Sequence, residues 1–151
     1  MKTRRETLTA GAVLGAAALL SAGGAAAASA GLTRAQVEAW LSAYKAAWEG
    51  KDADAVVKIF TPGATYRDHA FQPPYVGRPA IHDYWAKTVA GQSDIRFTST
   101  VWAVEGNVAI AHWTAAFAAG EAKTPAKLDG VFRLTFDGGL CSELLEWWFF
   151  G

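Results

Sequence analysis

The sequence predicts an α+β domain, with N-terminal helices packed on a curved antiparallel sheet that forms a cone-shaped pocket. Helical periodicity fills the segments between Thr33 and Val89, interrupted by a single early strand; from Ile95 onward the period changes from helix to strand. The later strands are long, alternating and joined by short turns that carry glycine, the pattern of an antiparallel meander. One face of such a sheet packs on the helices, and its curvature leaves a mouth where a small molecule can enter.

Thr33-x-x-Gln36 is a capping box and starts the first helix. Val37, Trp40, Leu41, Tyr44, Ala47 and Trp48 recur at helical spacing and make one apolar face, and Gly50 ends the segment. Asp52 caps a short second helix expected over residues 53–60, and Thr61-Pro62-Gly63 reads as a turn into a strand over 64–69. Residues 71–77 hold two prolines and a glycine and read as a loop. Pro79 fits the first position of a third helix, 80–89, whose inner face carries Ile81, Tyr84, Trp85 and Thr88. Alternation over 95–101 marks a strand, and Glu105-Gly106-Asn107 a hairpin turn. Residues 108–118 form a strand with almost no charge, so both of its faces are expected to be covered. A polar loop over 120–126, a strand over 128–136, the tight turn Asp137-Gly138-Gly139 and a last strand over 140–150 complete the chain.

The chain of 151 residues is long enough for one domain. Residues 1–30 are expected to be a signal peptide and 31–151 the domain itself. Lys2, Arg4 and Arg5 make a basic start, an Ala- and Gly-rich apolar stretch follows, and Ala28-Ser29-Ala30 fits a cleavage site. Arg4-Arg5 followed by Leu8 resembles the twin-arginine export signal, so the mature protein is expected in the periplasm or outside the cell. Without residues 1–30 the chain keeps 11 basic and 13 acidic residues. That near-neutral balance argues against nucleic acid or an acidic membrane as a partner. Cys141 is the only cysteine, so no internal disulfide can form, and its apolar surroundings make it a small buried hydrophobe. Seven tryptophans in so short a chain point to a large core or an aromatic-lined cavity.

The order helix, helix, strand, loop, helix and long meander resembles the SnoaL-like, nuclear-transport-factor-2-like superfamily. The resemblance rests on Tyr44-x7-Asp52, on ATYRD at 64–68, on Pro74-x-x-Gly77-x-x-Ala80-Ile81-x-x-Tyr84-Trp85, and on LDGVFRLTFDGGLCSELLEWW at 128–148. It implies a cone-shaped fold but no single activity, because this fold hosts many unrelated functions.

Within that resemblance, Asp68 matches the general base of the ketosteroid isomerases and Tyr44 their oxyanion-donor tyrosine. Parity supports Asp68 independently: if Tyr66 points to the core, so does Asp68, and an inward carboxylate is costly unless it is paired or has work to do. The alternative readings are an Asp that caps its own loop and a tyrosine that is only core. Those isomerases carry a protonated aspartate where this chain has Phe132, which leaves the second acid to another residue. Glu146 shares parity with Leu144 and Trp148, so it faces the cone if Trp148 does; otherwise it pairs with Arg133 or Arg67. His112 and Trp113 alternate, so one of them points inward, and the expectation is His112. The pocket is expected to be lined by Trp40, Tyr66, Trp85, Phe132 and Trp148 around catalytic Asp68, Tyr44, Glu146 and His112.

No group of His, Cys, Asp and Glu has metal-ligand spacing, and no phosphate-binding glycine motif occurs outside turns, so no cofactor and no metal is expected. The reading is an exported domain with a pocket for a small hydrophobic molecule. It is either a cofactor-independent isomerase, cyclase or hydrolase with Asp68 as base, or a binding or dimerising module of the same fold. The sheet face carrying Asp129, Val131, Arg133, Thr135, Trp147 and Phe149 is expected to form a homodimer.

Overall fold

The computed structural model describes residues 31–151; the expected signal peptide at 1–30 lies outside the described residues. Helix α1 (Arg34–Glu49) begins at the expected capping box: the Gln36 N–H donates to Thr33 Oγ1 at 3.2 Å, and the Thr33 N–H donates to Gln36 Oε1 at 2.8 Å. Helix α2 (Ala53–Lys58) is capped by Asp52 Oδ1, which accepts from Ala55 N–H at 2.8 Å. Strand β1 (Phe60–Arg67), a two-residue strand β2 (Tyr75–Val76) and helix α3 (Gly77–Ala90) follow. The long strands β3 (Gln92–Glu105), β4 (Val108–Ala119), β5 (Thr124–Asp137) and β6 (Leu140–Phe150) close the chain.

All six strands form one sheet in the order β2-β1-β6-β5-β4-β3, with the three helices on its inner side. The meander from β3 to β6 is antiparallel as expected, and Gly138 and Gly139 supply the two positive φ angles that a tight hairpin between β5 and β6 requires. The sheet is mixed rather than wholly antiparallel, because β1 lies parallel to β6. Several local expectations change as well: α2 stops at Lys58, β1 runs from Phe60 only to Arg67, and β5 begins at Thr124 inside the expected loop. Thr61-Pro62-Gly63 lies inside β1 as a bulge: that strand advances from Phe60 to Thr65 while its partner moves only from Cys141 to Glu143. The expected loop contains β2, which pairs with Thr65 and Tyr66. Helix α3 starts two residues before Pro79, at Gly77, whose φ of 82° suits glycine alone.

The outer edge of β3 would expose unpaired backbone groups, and α1 covers it with side chains. Lys45 Nζ donates to Phe97 O at 2.6 Å, Glu49 Oε1 accepts from Phe97 N–H at 2.9 Å, and Arg34 donates to Val101 O at 2.6 Å. Lys45 beside Glu49, together with the Phe97 amide, holds the Glu49 carboxyl below its ordinary range. The core beneath is aromatic: Trp40, Tyr44, Trp48, Phe60, Tyr66, Trp85, Phe97, Trp113, Phe132 and Phe136 are all buried. Cys141 is buried too, and burial pushes its thiol well up, which leaves it unreactive.

One glycine shapes the inner sheet surface. Gly130 on β5 stands in a cross-strand row between Trp113 on β4 and Trp148 on β6. A Cβ on Gly130 would lie 2.6 Å from Trp113 Cζ2 and 2.7 Å from the carbonyl of Trp147. Only glycine lets the Trp113 ring lie against the sheet at that point.

Candidate functional site

Residues of β1, β4, β5 and β6, with α1 and α3 above them, enclose a cavity of about 270 Å³. Its buried walls are Tyr44, Trp48, Tyr66, Trp85, Trp113, Glu146 and Asp68, while His69, Trp148 and Phe150 stand nearer solvent. Asp68 and Glu146 are the two buried charged-type side chains among the described residues, and both open into this space. The parallel β1–β6 pairing brings them together. Tyr66 sits opposite Leu144 and Arg67 opposite Leu145 at the end of β1, so Asp68 and Glu146 each follow the last paired residues of the two strands.

Each carboxyl has its own support. His69 Nδ1 lies 2.9 Å from Asp68 Oδ2, and the backbone carbonyl of Asp68 accepts from Trp148 Nε1 at 2.9 Å, which pins the end of β1 to β6. Glu146 Oε1 accepts from the Tyr66 hydroxyl at 3.1 Å, and Tyr66 Oη is 3.0 Å from Tyr44 Oη. A phenol has one proton to give. If Tyr66 gives its proton to Glu146, Tyr44 must donate to Tyr66, so the chain runs Tyr44 to Tyr66 to Glu146. Burial pushes the Glu146 carboxyl well above its ordinary range, and the neighbouring Asp68 adds to this; the Tyr66 hydrogen bond opposes it only in part. Burial thus favours the protonated form of Glu146, whose Oε2 has no protein partner among the described residues. Burial first, then the adjacent Glu146 carboxyl, raises both Tyr44 and Tyr66 well above the ordinary phenol range. Tyr84, which also lines the cavity, is raised by burial and by the two acids.

The structure thus brings together Asp68, Glu146, Tyr44, Tyr66, Trp85 and Trp148 from the expected set. It does not bring in His112. That side chain is on the outer face, where Nε2 is 2.9 Å from Asp129 Oδ1 and the ring stacks on Trp102 at 5.1 Å. Trp113 takes the inward position instead. Burying its roughly 200 Å² contributes on the order of 5 kcal/mol at about 25 cal/mol per Å²; an inward His112 would forgo that and lose its hydrogen bond to Asp129. Trp40 and Phe132 also stand behind the wall rather than in it. Trp40 Nε1 donates to Ile59 O at 2.8 Å, and Phe132 is sealed between Tyr44 and Trp113, at 5.3 and 5.1 Å. No three His, Cys, Asp or Glu side chains converge among the described residues.

Several lining residues were not foreseen, among them Trp48, Tyr84 and Trp113. Trp48 and Tyr84 lie on the apolar helix faces that the spacing identified. Trp113 had one readable signal, a glycine in the middle of the neighbouring strand.

A model of the SnoaL-like domain matches residues 37–144. The chain belongs to the SnoaL-like domain family. Among solved structures, this SnoaL-like domain is similar to a Catenulispora acidiphila protein with a ketosteroid isomerase-like fold, in complex with trimethylamine. That pair is 23% identical with a TM-score of 0.64, over 72% of this chain and 83% of the other. It is also similar to SalBIII, an epoxide hydrolase/cyclase-like enzyme of pyran ring formation in the polyether salinomycin, at 20% identity and a TM-score of 0.65, over 74% and 89% of the two chains. TsrD from Streptomyces laurentii matches at 16% identity and 0.65, over 78% and 90%. At these identities the likeness shows the fold. No curated protein matches the sequence.

The raised Glu146 makes a signed prediction about stability. In the unfolded chain Glu146 ionises as pH rises past about 4.5, while in the folded SnoaL-like domain it keeps its proton. The folded state then binds more protons, so this residue lowers stability as pH rises from there through its folded pKa. Glu146→Gln keeps an acceptor for Tyr66 and has no charge to bury. Thermal unfolding should show the variant gaining on wild type as pH rises from 4 to 7, with a constant difference below 4. A difference independent of pH would mean that Glu146 is ionised in the fold.

Proposed function

We propose that this SnoaL-like domain is a cofactor-independent acid–base enzyme acting on a small, largely apolar molecule. The observation that carries the reading is the presence of two buried carboxyl groups in one cavity, with burial favouring the protonated form of Glu146. Asp68 is the general base and Glu146 the general acid; Tyr44 and Tyr66 orient Glu146 rather than touch the reacting atoms. In an isomerisation, Asp68 takes a proton from carbon beside a carbonyl, Glu146 hydrogen-bonds the developing enolate oxygen, and Asp68 returns the proton to another carbon. In a ring opening or cyclisation, Asp68 takes the proton of an attacking water or hydroxyl as its oxygen bonds to carbon. Glu146 gives its proton to the oxygen whose bond to that carbon breaks. The likeness to the epoxide hydrolase/cyclase-like SalBIII supports the second class. A module that binds the same molecule without turnover is the alternative.

Asp68→Asn keeps the shape of the base and removes its function. Across a panel of small ketones and epoxides, turnover should fall by about 10²–10⁴-fold while binding, read by tryptophan fluorescence, stays near wild type. Binding without turnover in wild type, across the panel, would select the binding module.

We also propose a homodimer through the outer sheet face. Trp102, Trp147 and Phe149 are 57%, 44% and 81% exposed, and a depression of about 470 Å³ beside them is lined by Thr98, Thr114, Asp129 and Phe149. Apolar surface of this kind favours a partner. The molecular mass at micromolar concentration should be twice that of the chain, and Trp147→Glu should halve it; a monomeric wild type removes the idea.

Export is proposed on Arg4-Arg5 and Ala28-Ser29-Ala30. Arg4→Lys with Arg5→Lys should retain the precursor inside the cell. Undiminished export would assign the chain to the general secretory route.

A further inference from the structure

The cavity sets two carboxyl groups among aromatic walls and supplies little to balance them. Asp68 and Glu146 line it and are 8% and 6% exposed. Among the described residues no lysine or arginine joins them in the lining, and the one basic side chain there is His69, half-exposed, with Nδ1 2.9 Å from Asp68 Oδ2. Glu146 Oε1 takes the Tyr66 hydroxyl, whereas Oε2 has no partner and is still not sealed: the unpartnered polar atoms that are sealed are the indole nitrogens of Trp85 and Trp113. A nearly buried carboxyl thus offers a free oxygen to the space in front of it. In the acid–base reading Asp68 is the charged member of the pair, and a carboxylate held away from water without a full counter-charge is costly. A hydrocarbon in the cavity adds to that cost, an anion is repelled, and a cation relieves it.

The rest of the wall suits a cation too. Trp85 and Trp113 line the cavity while their nitrogens are sealed, so what they present to it is ring carbon. Three lining rings stand mutually perpendicular: Tyr44 is at 85° to Trp48 and 88° to Trp85, and Trp48 is at 85° to Trp85. No direction lies in three perpendicular planes at once. A ligand approaching along any line therefore cannot be edge-on to all three rings, and at least one meets it with its π face. An aromatic face is negative and attracts a cation, most strongly where water is excluded.

The kind of cation follows from the hydrogen bonds already made. Gln92 Oε1 is occupied by the Trp48 indole at 2.8 Å, and the Tyr66 hydroxyl is committed to Glu146. A primary ammonium would bring three N–H donors into a wall with few free acceptors. A fully methylated ammonium brings none. Its charge is spread over methyl groups, which pack on ring carbon while the whole group faces Asp68.

We propose that the cavity binds a methylated ammonium group, held against the rings of Tyr44, Trp48 and Trp85 and paired with the Asp68 carboxylate. The proposal rests on the reading of the cavity as a small-molecule site. It names the ligand class: a largely apolar molecule whose methyl groups surround one positive charge.

Choline and its neutral isostere 3,3-dimethylbutan-1-ol separate the possibilities, because they differ only in a charged nitrogen that replaces a carbon. Titrated into the purified chain and followed by tryptophan fluorescence, choline should bind about 10-fold tighter than the isostere. It should also bind tighter than ethanolamine, which carries the same hydroxyl on a primary ammonium. Asp68→Asn should remove most of the preference by weakening choline and leaving the isostere unchanged. The N-methyl ¹H resonance of choline should move upfield in the complex, as it does only over a ring face. If Asp68→Asn does not fold, the wild-type affinity ratios and the methyl shift decide alone. Equal or tighter binding of the isostere, tighter binding of ethanolamine, or choline binding without the upfield shift would overturn the proposal while the acid–base reading stands. Failure of all three probes to bind at millimolar concentration would sink the small-molecule cavity itself.

Discussion

A carboxyl group inside an aromatic core has two ways to exist: it can keep its proton, or it can be met by enough donors to hold a charge. Glu146 has one donor, the Tyr66 hydroxyl, and that donor is itself fed by Tyr44. One neutral hydrogen bond does not repay the desolvation of a carboxylate, so the proton stays. Much of the site follows from this. The tyrosine chain has a fixed direction, Tyr44 serves as a relay instead of a free donor to substrate, and Glu146 can offer its own proton to a ligand. Asp68, next to His69, is slightly the less enclosed of the two and is the proposed base.

The fold supplies this arrangement through one pairing. β1 departs from the antiparallel meander and runs parallel to β6, which carries Asp68 to the level of Glu146. The Trp148 indole then ties the Asp68 backbone to β6. The space in front of both acids depends on Gly130, since a side chain there would meet Trp113 and close the wall. Acid, base and cavity therefore rest on contacts between β1, β4, β5 and β6, whereas the helices mainly provide the aromatic lid.

Much of this was legible in the sequence, and the failures have identifiable causes. The capping box at Thr33, the helical stripe through Tyr44 and the hairpin at Gly138-Gly139 are local features, and each lies where its residues indicate. Two-residue parity put Tyr66 with Asp68 and Glu146 with Trp148, but for the last strand it left open which face is inward. On β4 the same rule offered two faces, one with His112 and one with Trp113, and local pattern could not choose. The choice is made across strands: Gly130 leaves room for an indole inside, while Asp129 and Trp102 receive the imidazole outside. Trp102 reaches that position at an irregularity in the β3–β4 pairing between Val101 and Ala103, which alternation alone does not reveal. The parallel β1–β6 contact was hidden for the same reason, since it joins segments some 80 residues apart, as the Tyr66–Glu146 hydrogen bond does.

The central claim is that Glu146 is a neutral acid facing Asp68 in the folded protein. Isotope-edited infrared spectroscopy tests it without any substrate. With ¹³C-carboxyl glutamate, wild type at pH 7 should show the C=O stretch of a protonated carboxylic acid, absent from Glu146→Gln and shifted when Tyr66→Phe removes its hydrogen bond. A spectrum at pH 7 with carboxylate bands only, unchanged by Glu146→Gln in the acid region, would contradict the account.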